Sequence, residues 1–167
     1  SPELLMARVL FPLPDADFDV TEVAVPWRLL TDAGHSVVFA TERGATPACD
    51  PLLLTGVLFG QLGAEPEPIA FYREMQQDLA FRAPLPWAEV VPEDYDALLL
   101  GGGHAPGMRQ YLGGGVLHEL VARFWALQRP VAAICHGVLV LARCKDVATG
   151  EPLLAGVRTT CLPAYME

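Results

Sequence analysis

Residues 130–141 read Pro-Val-Ala-Ala-Ile-Cys-His-Gly-Val-Leu-Val-Leu, and no other stretch of this chain limits its fold as tightly. Small and β-branched apolar residues run over 131–134 and stop at Cys135, after which Gly137 opens a second apolar run. A buried strand that turns at once into a helix has this pattern. Such an elbow lifts the side chain at its apex out of the sheet. The unpaired N–H groups and positive end of the following helix then favour a thiolate over a thiol. Cys135 therefore reads as a nucleophile. The competing reading is a core cysteine, since free Cys is among the most buried residue types. His136 and Gly137, which a core does not need, weigh toward function.

The rest of the chain reads as the frame of a parallel α/β domain. Residues 8–13 form a short apolar first strand, and an acidic, proline-containing loop follows over 14–19. A helix begins near Thr21, its expected cap, and runs through Glu22, Val23, Val25, Trp27, Leu29 and Leu30 until Ala33-Gly34. Residues 36–40 give the second strand and complete a βαβ unit. The signal is weaker over 41–92, where apolar 51–62 and helical-looking 68–81 suit an inserted pair of helices over the sheet, serving as a packing layer, a lid or a dimer surface. Residues 95–100 form the next strand and end in Gly101-Gly102-Gly103. A helix over 116–128 carries Leu117, Leu120, Val121, Phe124 and Leu127 at helical spacing. The strand at 130–134 leads through the elbow into a helix over 136–143, and a last strand is expected over 156–161.

Length and composition agree with one domain over residues 1–167, since 52% of the residues are hydrophobic. No window is long and apolar enough for a membrane span, and the first residues lack the basic region and apolar core of a signal peptide, so a cytoplasmic location is expected. A net charge of -9 with a single lysine, Lys145, argues against nucleic acid and anionic membranes as partners. A small molecule is the better expectation. The four cysteines, Cys49, Cys135, Cys144 and Cys161, show neither CxxC spacing nor clustering with histidines. No metal site, no cofactor and no disulfide framework is indicated.

The segment Ala-Ala-Ile-Cys-His-Gly, preceded upstream by Leu-Leu-Leu-Gly-Gly-Gly-His at 98–104, resembles the DJ-1/PfpI superfamily, also called the ThiJ or class I glutamine-amidotransferase-like group. The likeness extends from Arg8 to the Thr-Thr-Cys-Leu-Pro of 159–163. It implies a flavodoxin-like α/β sandwich of three layers, with a central, mainly parallel sheet and the nucleophile elbow at its carboxyl edge. It also implies a homodimer. Members generally continue beyond this point through a further strand and helix, which this sequence is expected to lack.

On this resemblance Cys135 is the nucleophile, Glu22 the carboxyl that exchanges a proton with it, and His136 a second proton carrier. A first-turn Glu serving the helix dipole, and a histidine merely bonded to a neighbouring loop, are the plainer alternatives. Backbone N–H groups of Gly103 and His136 would form an oxyanion hole, and Gly102, His104 and Arg109 would contact substrate, though Arg109 also reads as a solvated surface residue. The stretch Gly102-Gly103-His104-Ala105-Pro106-Gly107 is similar to Gly-Gly-Arg-Ala-Pro-Glu of PfpI-type proteases, but Gly107 stands where their triad glutamate is. No His-x-Glu pair follows Cys135, which also disfavours a glutamine amidotransferase.

The activity that fits best is a cofactor-free, glyoxalase III-like conversion of a 2-oxoaldehyde to a 2-hydroxy acid. A cysteine hydrolase or hydratase, acting on amides or isonitriles, and a thiol-based redox sensor or holdase are the alternatives. The sensor reading draws on Cys161, where many relatives carry histidine, as a redox partner for Cys135.

Overall fold

The computed structural model describes residues 6–57 and 62–161. Its frame is a five-stranded, all-parallel sheet in the order β3-β2-β1-β4-β5, with β1 at Arg8–Pro12, β2 at Ser36–Thr41, β3 at Leu85–Pro86, β4 at Ala97–Leu100 and β5 at Val131–Ala133. The first strand lies at the centre. It pairs in register with β2 from Arg8 opposite Ser36 to Pro12 opposite Ala40, and with β4 through Val9 opposite Ala97. Continuous apolar runs suit strands covered on both faces, and Leu10, Phe11, Phe39 and Leu100 are completely buried.

Seven helices of the described chain cover the sheet: α1 at Val20–Asp32, α2 at Pro51–Thr55, α3 at Pro66–Met75, α4 at Leu79–Arg82, α5 at Met108–Gly113, α6 at Gly115–Ala126 and α7 at Gly137–Arg143. Connections leaving β1 and β2 run toward β3, whereas those leaving β4 run toward β5. Right-handed crossovers in opposite directions place their helices on opposite faces. Packing agrees, because α1 sits against α3 on one side while α7 contacts both α5 and α6 on the other. Arg28 on α1 pairs with Glu74 on α3 at 2.7 Å, and the Trp27 indole N–H donates to Asp78 at 3.2 Å, which ties the outer helices to α1.

Several sequence expectations need correction. Asp19, not Thr21, caps α1: its carboxylate accepts from the N–H groups of Thr21 and Glu22 at 2.8 and 3.0 Å. The helical stretch expected over 51–62 ends at Thr55, and residues 58–61 lie outside the described residues. The single helix expected over 68–81 is two, because α3 ends at Met75 with Gln76 as its cap and Asp78 starts and caps α4. Residues 156–161 form no strand. Gly156 at φ +74° and a Val157 N–H bonded to the Leu154 carbonyl make a turn, and the following residues run exposed. β-branched Thr159 and Thr160 favour a strand, but β-propensity has force only where a pleated surface is there to pack against.

Candidate functional site

Adjacent strands β1 and β4 send their chains in opposite directions, and such a switch point opens a crevice at the carboxyl ends of the strands. Three segments meet there: the start of α1 after β1, the glycines after β4, and the elbow after β5.

At the elbow Cys135 has φ +50°, a left-handed conformation for a residue with a side chain. Holding it there costs about 1–3 kcal/mol, and such strain collects at functional positions. Hydrogen bonds enforce the turn: Ile134 N–H to the Leu100 carbonyl at 2.8 Å, Gly137 N–H to Ile134 at 2.8 Å and Val138 N–H to Cys135 at 3.2 Å. Gly137 lets the elbow lie directly on β4, since a Cβ there would press on the Leu100 carbonyl oxygen and sit 2.8 Å from that of Gly101.

Glu22 reaches this cysteine from the first turn of α1. Its carboxylate accepts the Gly102 N–H at 2.7 Å and shares a side-chain hydrogen bond with Cys135. Burial, followed by the charge of Asp19, raises the Glu22 pKa above its ordinary 4.5. Contrary to the thiolate expected at the start of a helix, burial, followed by the charge of Glu22, pushes the Cys135 thiol up to about 11, against the lowering effect of the His136 N–H. Burial is the first cause of both shifts, and the Cys135 thiol, by hydrogen-bonding to the carboxyl, works against the rise at Glu22. The Cys135 thiol therefore keeps its proton across the neutral range while hydrogen-bonded to the Glu22 carboxyl. Pro26 lies four residues beyond Glu22 inside α1, so the Glu22 carbonyl has no helical donor.

Gly102, expected from the sequence to contact substrate, is tied to Glu22 and packed against the elbow. Its N–H is committed to Glu22, and a Cβ on it would meet Glu22 Oε2 at 2.7 Å and the His136 nitrogen at 2.8 Å. The glycine is there so that carboxyl and elbow can close on one another. His136 is buried, with Nδ1 2.8 Å from the Gly103 carbonyl oxygen. A carbonyl only accepts, so Nδ1 carries the hydrogen and the tautomer is set. The neighbouring-loop bond considered for this histidine from sequence is thus present. His104 stands edge-to-face to it with ring centroids 5.8 Å apart.

A cavity of about 240 Å³ opens beside the elbow, lined in part by Gly103, His104, Met108, Arg109, His136 and Leu139. The structure thus gathers Gly103, His104, Arg109 and His136 at one cavity, and Cys135 with Glu22 and Gly102 next to it. Cys135 itself is not among the described lining residues. No group of three or more potential metal ligands occurs among the described residues.

Sequence reasoning passed over Asp17. At φ +73°, its carboxylate accepts the Gly107 N–H at 2.8 Å, while Asp19 N–H donates to the Gly102 carbonyl at 2.8 Å. Loop 14–19 is thereby stitched to loop 101–107. A Cβ on Gly107 would sit 2.7 Å from Asp17 Oδ2 and 2.9 Å from the Ala16 carbonyl, so this loop leaves no room for a glutamate at 107. The available signal was an aspartate in a loop at a strand's carboxyl end, a residue type that accepts left-handed backbone.

Comparison with known proteins agrees with this geometry. The family model described as ThiJ/PfpI family-like matches residues 13–167. An uncharacterized protein of Schizosaccharomyces pombe is 29% identical over 96% of this chain and 60% of its own length, so the chain spans about three fifths of that relative. A deglycase of Pyrococcus abyssi is 30% identical over 96% of the chain and 75% of its own length. The crystal structure of glyoxalase III from Candida albicans matches with a TM-score of 0.67 at 22% identity, over 89% of this chain and 65% of that one, a likeness of fold. With elbow, sheet and family match in agreement, the chain belongs to the ThiJ/PfpI family, within the DJ-1/PfpI superfamily.

Proposed function

We propose that this domain is a cofactor-free cysteine enzyme that converts small 2-oxoaldehydes to 2-hydroxy acids. One observation carries the reading: at a strained elbow, the Cys135 thiol is hydrogen-bonded to a half-buried carboxyl that the Gly102 N–H holds in place. A hydrogen-bonded thiol and carboxyl can both form and reprotonate intermediates near neutral pH. The names deglycase and glyoxalase 3 carried by relatives support carbonyl chemistry over amide hydrolysis.

In this reaction the Cys135 sulfur, having passed its proton to Glu22, bonds to the aldehyde carbon, and the carbonyl oxygen is protonated to give a hemithioacetal. Glu22 and His136 remove the hydrogen from that carbon and return one to the neighbouring carbon through an enediol. The product of that shift is a thioester on Cys135. Water cleaves it, releasing the 2-hydroxy acid and restoring the thiol. The N–H groups of Gly103 and His136 stabilise negative charge on the former carbonyl oxygen. His104 and Arg109, at the mouth of the adjoining cavity, hold the remainder of the substrate. Arg109 suits an anionic substituent.

The test is formation of lactate from methylglyoxal without glutathione. Cys135→Ala abolishes turnover, and Glu22→Gln lowers kcat ~10²–10⁴-fold, the usual share of a positioned proton carrier. Absence of lactate from protein whose Cys135 still takes up iodoacetamide would refute the carbonyl reading and turn attention to isonitriles and amides.

A further inference from the structure

All four cysteines are free, but they fall into two classes. Cys49 and Cys144 are buried in the core. Cys135 and Cys161 are only partly buried, and these two meet. The Cys161 thiol donates to the Cys135 backbone carbonyl at 3.7 Å, across 26 residues of chain, and its charge acts on the Cys135 sulfur. Carbonyl chemistry at Cys135 uses no second thiol. The approach is made by a segment outside any helix or strand, residues 157–161, most of it exposed. A thiol on such a segment can adjust toward a neighbour without breaking a ladder or a helix.

We infer that Cys135 and Cys161 form a hydroperoxide-driven disulfide site, at which Cys161 resolves the oxidised nucleophile. The inference rests on Cys135 being a reactive thiol, as proposed above, but not on its carbonyl substrate. In the first step the Cys135 sulfur attacks the distal oxygen of a hydroperoxide. The O–O bond breaks, sulfur is oxidised by two electrons to sulfenic acid, and the thiol proton leaves with the alcohol or water formed. In the second step the Cys161 sulfur attacks the sulfenic sulfur, the S–O bond breaks and water departs with the Cys161 proton, leaving the disulfide. A small dithiol reverses it by two exchanges and is itself oxidised. The consequence is protective: a resolved sulfenate cannot advance to sulfinic acid, which is irreversible for most proteins.

The experiment treats the whole chain with equimolar hydrogen peroxide, blocks remaining thiols, and analyses a non-reducing digest by mass spectrometry. The expected product is a peptide joining Cys135 to Cys161, two hydrogens lighter than the separate thiol peptides. Free thiols fall from four to two, and dithiothreitol restores them. In Cys161→Ser the cross-link is absent, and Cys135 instead accumulates forms two or three oxygens heavier. Cys144→Ser, at a buried thiol, leaves the cross-link unchanged. Wild-type protein that gains oxygen at Cys135 without joining Cys161, or that is not oxidised at either residue, overturns the inference. Lactate formation by the reduced protein is measured alongside, so failure of the carbonyl reading is scored separately from failure of the disulfide.

Discussion

Glu22 is held at a cost, and the cost is measurable. Its carboxyl is half-buried, next to the charge of Asp19, and is a weaker acid in the folded protein than in the unfolded chain. The sign follows from linkage. A raised pKa favours folding fully below the ordinary value of 4.5, and that contribution is lost as pH rises through the raised one. Above that raised value the ionised carboxylate therefore works against the fold. Glu22→Gln keeps an oxygen to accept the Gly102 N–H while removing the charge, so thermal unfolding at pH 7 is expected at a higher temperature than in wild type. The difference should shrink as the pH falls below the carboxylate range. A variant less stable than wild type at pH 7 would show that the charge is compensated in the native site. Stability gained together with lost turnover is the expected trade at a functional residue.

Among the elements, α7 and β4 are joined so closely that glycine alone fits between them. A Cβ at Gly137 would meet three backbone atoms of Leu100 and Gly101, none of which can rotate away. Gly137→Ala is expected to destabilise by about 1–3 kcal/mol, the range for overpacking a close contact. Gly115→Ala, at the first position of α6 with open space around it, should instead be neutral or stabilise by about 0.4–1 kcal/mol. Urea denaturation of the two variants checks both signs. The same closeness explains what could be read from sequence. Strands β1, β2, β4 and β5 were legible because buried parallel strands are continuous apolar runs, and the elbow because Cys135 and Gly137 interrupt one. Helix α5 was missed, since Met108–Gly113 is short and ends in glycine, and β3 is a two-residue strand containing a proline. Glu22 was legible through the family resemblance, whereas its place in the first turn of a helix pointed equally to a dipole role. The clasp formed by Asp17 was not, because its meaning depends on a loop 90 residues away. Residues 156–161 were misread because propensity says nothing about whether a partner strand is alongside.

At the scale of the molecule, the candidate site joins parts of the sheet that differ in how firmly they are held. Glu22 and Gly102 follow β1 and β4, each paired on both sides, with Leu10, Phe11 and Leu100 fully buried. Cys135 follows β5, which pairs only with β4 among the described residues and leaves Ala132 exposed. Opening free energies within one protein range from near zero at thinly covered elements to the global value in the core. Amide hydrogen exchange should therefore be slowest over residues 9–11 and 98–100 and faster over 131–133, although all three segments lead into the same site. Faster exchange in β5 would mean that Cys135 can shift relative to the carboxyl to which it is hydrogen-bonded. Binding that bridges Cys135 to the loop at 103–109 should then slow exchange in β5 more than in β1. Iodoacetamide, which reaches the sulfur without bridging anything, should leave the order of the strands unchanged. If β5 exchanges as slowly as β1 in the untreated protein, the sheet is uniformly rigid, and the strain at Cys135 is borne by the elbow alone.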